Sequence, residues 1–267
     1  MKAISFEEMK SLELQMLKYI KKICEENDIQ YFLCAGTLLG AVRHQGFIPW
    51  DDDIDIALPR QEFEKLLSIL RKEQIYNLID PHADNCYYPF AKICDKRTEL
   101  RENIYPYIDG MGVYIDIFPL DGFPEDEVER MLFTREINSI WYNVLACYTD
   151  REELKKLPVM KAFKRICKSI LCKIFGRKYW KSKLYKAMTK YPYDSSKYVG
   201  YGFTQYLDKF VHNRKYYSSS VKLLFEDEYF SAPAMWNDYL TDLYHDYMQF
   251  PPAEKQVTHH EYEVYWK

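Results

Sequence analysis

Met9, Leu12, Met16, Ile20 and Ile23 recur every three or four residues behind Ser5 and Glu8. The spacing predicts a helix over about 6–26 with one apolar face, its start closed by a capping box. Ile29–Leu33 follows as a short continuous apolar run, the mark of a buried strand, and Gly36-Thr37 then opens a helical turn through Leu38, Leu39 and Ala41. Residues 51–58, Asp-Asp-Asp-Ile-Asp-Ile-Ala-Leu, read as a strand stopped by Pro59, and Phe63, Leu66, Leu67 and Leu70 mark the next helix. Tyr76–Ile79, Phe90–Cys94 and Met111–Phe118, bounded by Pro, Asn, Asp and Gly, read as further strands. Beyond Pro124 the period turns mostly helical: 127–148, a basic stretch, and 234–247 behind a Ser231 cap and Pro233. The expected fold is α/β (α+β), a core with a small mixed sheet over 1–123 followed by a mainly helical half over 124–267.

Composition places the chain among ordinary globular proteins. Its 267 residues are 48% apolar and 29% charged, enough to bury a core and too apolar for a disordered or collagen-like polymer. No run approaches the ~18 apolar residues of a membrane span. The first ten residues lack the apolar stretch of a secretory signal, so a cytoplasmic protein is expected. Seven cysteines form no C-x-x-C pair and read as reduced, small core hydrophobes.

The net charge of −3 conceals an uneven distribution. Residues 155–190 hold 13 Lys or Arg and no acid, which leaves 24 basic against 40 acidic side chains elsewhere, a balance of −16. Within that stretch Val159, Phe163, Ile166, Ile170 and Ile174 recur at helical spacing among Lys161, Lys164, Arg165 and Lys168. Such a basic amphipathic helix suits the inner leaflet of an anionic membrane, or packs on its own domain with solvated lysines. The anionic body and the lack of a zinc-finger pattern argue against nucleic acid as a partner.

The candidate chemistry is concentrated around Asp51-Asp52-Asp53-Ile54-Asp55. In a strand, side chains two apart share a face, so Asp51, Asp53 and Asp55 are expected together, with Ile54, Ile56 and Leu58 on the other side. Two carboxylates ~5 Å apart at an effective dielectric of ~20 repel by about 3 kcal/mol, which solvent, protonation or a cation must offset. Oxygen-only ligands select Mg2+ or Mn2+ over zinc. Tyr114-Ile115-Asp116-Ile117-Phe118 sets another acid between apolar residues whose immediate neighbours include no base, and so marks a third carboxylate.

A Gly-Thr turn, an apolar-flanked D-x-D strand and a later isolated acid form the arrangement of the nucleotidyltransferase fold. In that arrangement Gly36 lets the backbone approach a phosphate and the Thr37 hydroxyl bonds it. Asp53 and Asp55 hold metal ions, and Asp116 completes the ligand set and takes the acceptor proton. Asp51 shares their face as a ligand or an outer charge. Arg43 either holds a pyrophosphate bidentately or solvates a helix end, and Lys92 is a phosphate candidate if its strand register turns it inward. Adjacent His259 and His260 do not readily aim both rings at one ion, so a zinc role is not expected.

The stretch Ala35-Gly36-Thr37-Leu38-Leu39-Gly40-Ala41-Val42-Arg43-His44, then Gly46-Phe47-Ile48-Pro49-Trp50-Asp51-Asp52-Asp53-Ile54-Asp55-Ile56, closely resembles the LicD family of phosphocholine transferases. The resemblance continues through Tyr114–Gly122, Asp246-Tyr247-Met248, Pro251-Pro252 and His259-His260. It departs from the family's usual pattern at His245, Phe250 and Gln256 and leaves the acids untouched. It implies transfer of phosphocholine from CDP-choline to a sugar hydroxyl of a lipid-linked bacterial surface glycan precursor, teichoic acid or lipopolysaccharide, with release of CMP. A quaternary ammonium is recognised by aromatic faces at ~6 Å; Tyr87-Tyr88, Tyr105-Pro106-Tyr107 and Tyr198–Tyr206 are candidate segments for such a cage. Two rival readings are nucleotidyl transfer to a small molecule, distinguished by product mass, and a non-catalytic peripheral membrane scaffold, which would be indifferent to Asp53→Ala.

Overall fold

Ser5 Oγ accepts from the Glu8 N–H at 3.2 Å while Glu8 Oε2 accepts from the Ser5 N–H at 2.9 Å, so the reciprocal capping box opens helix α1, Phe6–Glu26. Its apolar stripe is buried through Met16, Leu17 and Ile20, each worth about 1.5–3 kcal/mol out of water. The computed structural model describes residues 2–102, 106–148, 154–155, 158–203, 207–258 and 262–267.

The chain is a mixed α/β structure. Its main sheet has the order β2 (Phe32–Leu33), β3 (Asp55–Pro59), β7 (Tyr114–Phe123), β5 (Ala91–Cys94) and β4 (Asn77–Ile79). Strands β3 and β7 run parallel, and the remaining neighbours run antiparallel. Helix α2 (Ala35–His44) connects β2 toward β3, and α3 (Arg60–Glu73) follows β3 and buries Phe63, Leu66 and Leu67. The far end of β7, Asp121–Phe123, pairs with β8 (Tyr198–Gly200), which carries β9 (Val211–Asn213). A second sheet joins β1 (Lys2–Ala3), β12 (Tyr262–Trp266) and β6 (Thr98–Glu102). The remaining helices are α4 (Glu127–Ala146), α5 (Val159–Phe175), α6 (Arg177–Met188) and α7 (Trp236–Tyr244). Among the described residues no helix is long and apolar enough to cross a membrane.

The half after residue 124 also carries strands that the pattern does not mark, including the hairpin β10 (Ser220–Phe225) and β11 (Glu228–Pro233). Its two-residue turn is Glu226-Asp227, with Glu226 at φ +59°, in place of the Asn-Gly type that announces a hairpin. Three expectations are corrected. The acidic strand begins at Asp55, so Asp51–Asp53 precede it. Ser231 lies in β11 and caps nothing; helix α7 begins at Trp236. Finally, Cys147 and Cys172 form a disulfide. Cys147 caps the end of α4 and Cys172 lies in the last turn of α5, and two packed helices bring together sulfurs that no local spacing motif connects.

Candidate functional site

Three adjacent strands carry one polar row. Asp55 of β3 stands beside Asp116 of β7, and Lys92 of β5 stands beside Asp116 on its other side. Register partners project to the same face of a sheet, so the three side chains lie abreast. Lys92 Nζ meets Asp116 Oδ1 at 2.7 Å, and Lys92 is only 3% exposed. Its ammonium also sits 3.5 Å from the centre of the Tyr114 ring, with Tyr88 and Phe90 beyond. The acid that had no basic neighbour along the chain therefore has one across the sheet, and the inward register of Lys92 supplies it.

The row is held from outside the sheet as well. The Asp55 N–H donates to Thr37 Oγ1 at 2.8 Å, so the buried Thr37 hydroxyl ties α2 to the start of β3. The Asp116 N–H donates to Ile54 O at 2.8 Å. Burial pushes the Asp55 carboxyl well up from the ordinary carboxylate range; the charges of Asp53, Asp116 and Asp51 add to this and Lys92 opposes it.

Ahead of β3 the chain turns, with the Asp51 N–H donating to Ile48 O at 2.9 Å across Pro49 and Trp50. Strand alternation does not govern this segment. Carboxylate oxygens of Asp51, Asp52 and Asp53 all lie within 4.8 Å of one another, so Asp52 joins the cluster instead of pointing away. Gly36 makes room for it: a Cβ there would stand 2.6 Å from Asp51 Oδ2, so only glycine lets this carboxylate approach the first turn of α2.

Helix α1 contributes an acid that no motif indicated. Glu13 is 2% exposed, and its Oε2 has no hydrogen-bond partner. Burial, reinforced by Asp53, Asp52 and Asp51, pushes its carboxyl well up. The signal was present in the helical pattern, because position 13 lies one turn from both Met9 and Leu17, on the buried face. These groups fit a hard divalent cation: the donors are carboxylate oxygens, they crowd together, and one is a buried oxygen with no proton to accept.

Beside the acids lies a cavity of about 460 Å3, lined among others by Gly36, Arg43, Trp50, Asp51, Tyr247 and Phe250. That volume is within the range of small-molecule sites. Arg43 Nη1 donates to Tyr247 O at 2.8 Å, and its guanidinium lies 4.8 Å from the centre of the Phe250 ring, so α2 holds the segment after α7 against the cavity. Trp50 and Phe250 approach edge-on with centroids 6.3 Å apart. Among the described residues none of the expected cage tyrosines lines this cavity. Tyr87 and Tyr88 line a separate cavity of about 300 Å3 with Arg60 and Tyr185, and Tyr201 is buried in the core. Tyr105, Tyr206, His259 and His260 lie outside the described residues.

Carboxylates gathered between a helix start and an aromatic-walled cavity are equipment for group transfer, and comparison with known proteins agrees. Residues 28–143, which include Gly36, Asp55, Lys92 and Asp116, match the family model described as LicD/FKTN/FKRP, nucleotidyltransferase domain. The chain is 30% identical to the lipopolysaccharide cholinephosphotransferase LicD of Haemophilus influenzae across 99% of both chains. It is 40% identical to an uncharacterized protein of Rickettsia prowazekii over 43% of this chain and 42% of that one. A segment of 41 residues, 15% of this chain and 8% of the other, is 42% identical to the human ribitol 5-phosphate transferase FKRP. The chain belongs to the LicD family. It is a transferase of the LicD type.

Proposed function

We propose that this protein transfers phosphocholine from CDP-choline to a sugar hydroxyl of a lipid-linked bacterial surface glycan precursor, teichoic acid or lipopolysaccharide, at the cytoplasmic face of the membrane. In this reading residues 1–123 form a nucleotidyltransferase-like catalytic core, and the segment after α7 completes the substrate site. The observation that carries the reading is the row of Asp55, Asp116 and Lys92 together with the Asp51–Asp53 cluster, whose Asp51 lines the cavity.

Asp53, Asp55, Asp116 and Asp51, joined by Asp52 and Glu13, are the groups that would hold Mg2+ or Mn2+. A bound divalent cation would supply charge neutralisation for the donor diphosphate. Gly36, Thr37 and Arg43 orient the nucleotide end of the donor, and Lys92 keeps Asp116 in place through its ion pair. The acceptor oxygen attacks the β-phosphorus in line, and the new O–P bond replaces the bond to the bridging oxygen, which leaves with CMP together with its electron pair. The hydroxyl proton passes to Asp116. Trp50 and Tyr247 offer aromatic faces to the trimethylammonium group, with Asp246 in the same lining to balance its charge.

The test supplies CDP-choline and a glycan acceptor, with Mg2+ or with chelator, and weighs the product. A mass gain of phosphocholine that disappears with chelator and in Asp55→Asn is expected. Transfer of the nucleotide instead, or phosphocholine transfer indifferent to chelation, would overturn the reading.

A further inference from the structure

Helix α5 turns its polar side toward the protein. Lys168 Nζ bonds Ser139 O at 3.2 Å and Asn143 Oδ1 at 2.8 Å, and Cys172 is buried and bonded to Cys147, which sets this side against α4. Ala162, Arg165 and Ser169 are half-buried on the same side. The apolar stripe faces outward. Val159, Phe163, Ile166, Ile170 and Ile174 are between 44% and 87% exposed, and Met160 and Phe175 extend the patch. A helix that packs only on its own domain has the opposite orientation, with the stripe inward and the lysines in water. Seven large apolar side chains on one 17-residue helix form a surface that must be covered by something.

Charge identifies the cover. Lys161, Lys164 and Lys173 are exposed along the helix, and Arg177 and Lys178 continue the positive charge just past its end. The whole of 155–190 contains no acid. A second copy of this chain docked on the stripe by two-fold symmetry would bring an identical cationic rim against the first. An anionic bilayer offers hydrocarbon to the stripe and phosphate to the lysines, whose long stems let the ammonium groups reach the headgroups while the apolar face enters by ~5–10 Å.

We propose that α5 is a membrane-surface helix, lying in the plane of a bilayer rich in anionic phospholipid and anchoring the enzyme there. The anchoring is independent of the transfer chemistry, so Asp55→Asn is expected to bind vesicles as the unaltered protein does.

The experiment is co-sedimentation of the full chain, its disulfide intact, with phosphatidylglycerol–phosphatidylcholine vesicles and with phosphatidylcholine alone. Binding to the mixed vesicles at low salt is expected, with a loss of tenfold or more in high salt. Paired Lys164→Gln and Lys173→Gln should weaken partitioning by about thirtyfold, at about 1 kcal/mol for each charge. Ile166→Asn with Ile170→Asn should abolish it while thermal unfolding stays unchanged, since both positions are exposed. Phe163→Trp should shift its emission to the blue on the mixed vesicles. No sedimentation at low salt would overturn the proposal. So would binding that survives the isoleucine changes, or a dimer in light scattering that those changes dissolve without any vesicle binding.

Discussion

Replacing Glu13 by glutamine separates a buried structural acid from one reserved for a cation. Within the cluster, two unit charges 4.8 Å apart repel by roughly 3.5 kcal/mol at an effective dielectric of ~20. Glu13, buried beside them with an orphaned Oε2, adds an unsatisfied acceptor that costs about 1–3 kcal/mol. In chelator, Glu13→Gln should therefore be more stable than the unaltered protein, by about 2–4 °C of melting temperature for each kcal/mol relieved. Saturating Mg2+ should reverse the order. The unaltered protein gains about 2.7 kcal/mol at a hundredfold excess over the dissociation constant, and the variant, with one donor weakened, gains less at the same concentration. Thermal unfolding with and without Mg2+, paired with calorimetric titration of the ion, reads both halves. If Mg2+ leaves the unaltered protein where it was, or if the two proteins gain equally, Glu13 does not belong to an ion site.

Lys92→Met should destabilise the protein by about 3–5 kcal/mol in denaturant titration and abolish transfer, because Asp116 loses its buried ammonium. Adding Asp116→Asn should restore much of the stability and none of the activity. Burial lowers the pKa of His212 to about 4, from the ordinary value near 6.5. Between those values the unfolded chain binds a proton that the folded one refuses, so stability falls as pH drops through this window, by about 3 kcal/mol when the window is crossed. Urea midpoints should show that fall, and His212→Phe should lack it. Trp50→Ala should raise KM for CDP-choline about tenfold and leave KM for CDP-ethanolamine nearly unchanged, because a primary ammonium can satisfy itself with hydrogen bonds.

The parts of the fold written in local pattern were legible in advance. The Ser5–Glu8 box and the stripe of α1 mark that helix to the residue, and Phe63, Leu66, Leu67 and Leu70 mark α3. What depends on distant segments was not legible. Lys92 could not be placed against Asp116 until the register of β5 on β7 was known. Asp52 joins Asp51 and Asp53 because a turn at Ile48–Asp51 replaces the expected strand, and apolar alternation does not report turns. The Glu226-Asp227 hairpin lacks the glycine that usually announces such a turn, and the Cys147–Cys172 bond depends on the packing of two helices. Glu13 is a different case: its position on the buried face of α1 is visible in the helical period, but no motif marks a lone acid there as a ligand.

Strand β7 buries Asp116 and Asp121, five residues apart and hence on opposite faces, and each meets its own cation. Asp116 takes Lys92, and Asp121 takes Arg60 through a forked pair at 2.8 and 2.5 Å. A slip of one residue along either neighbour would turn both carboxylates into the wrong layer at once, away from both partners. The two ion pairs thus act as a key cut on both edges, admitting a single alignment of the strand that carries Asp116.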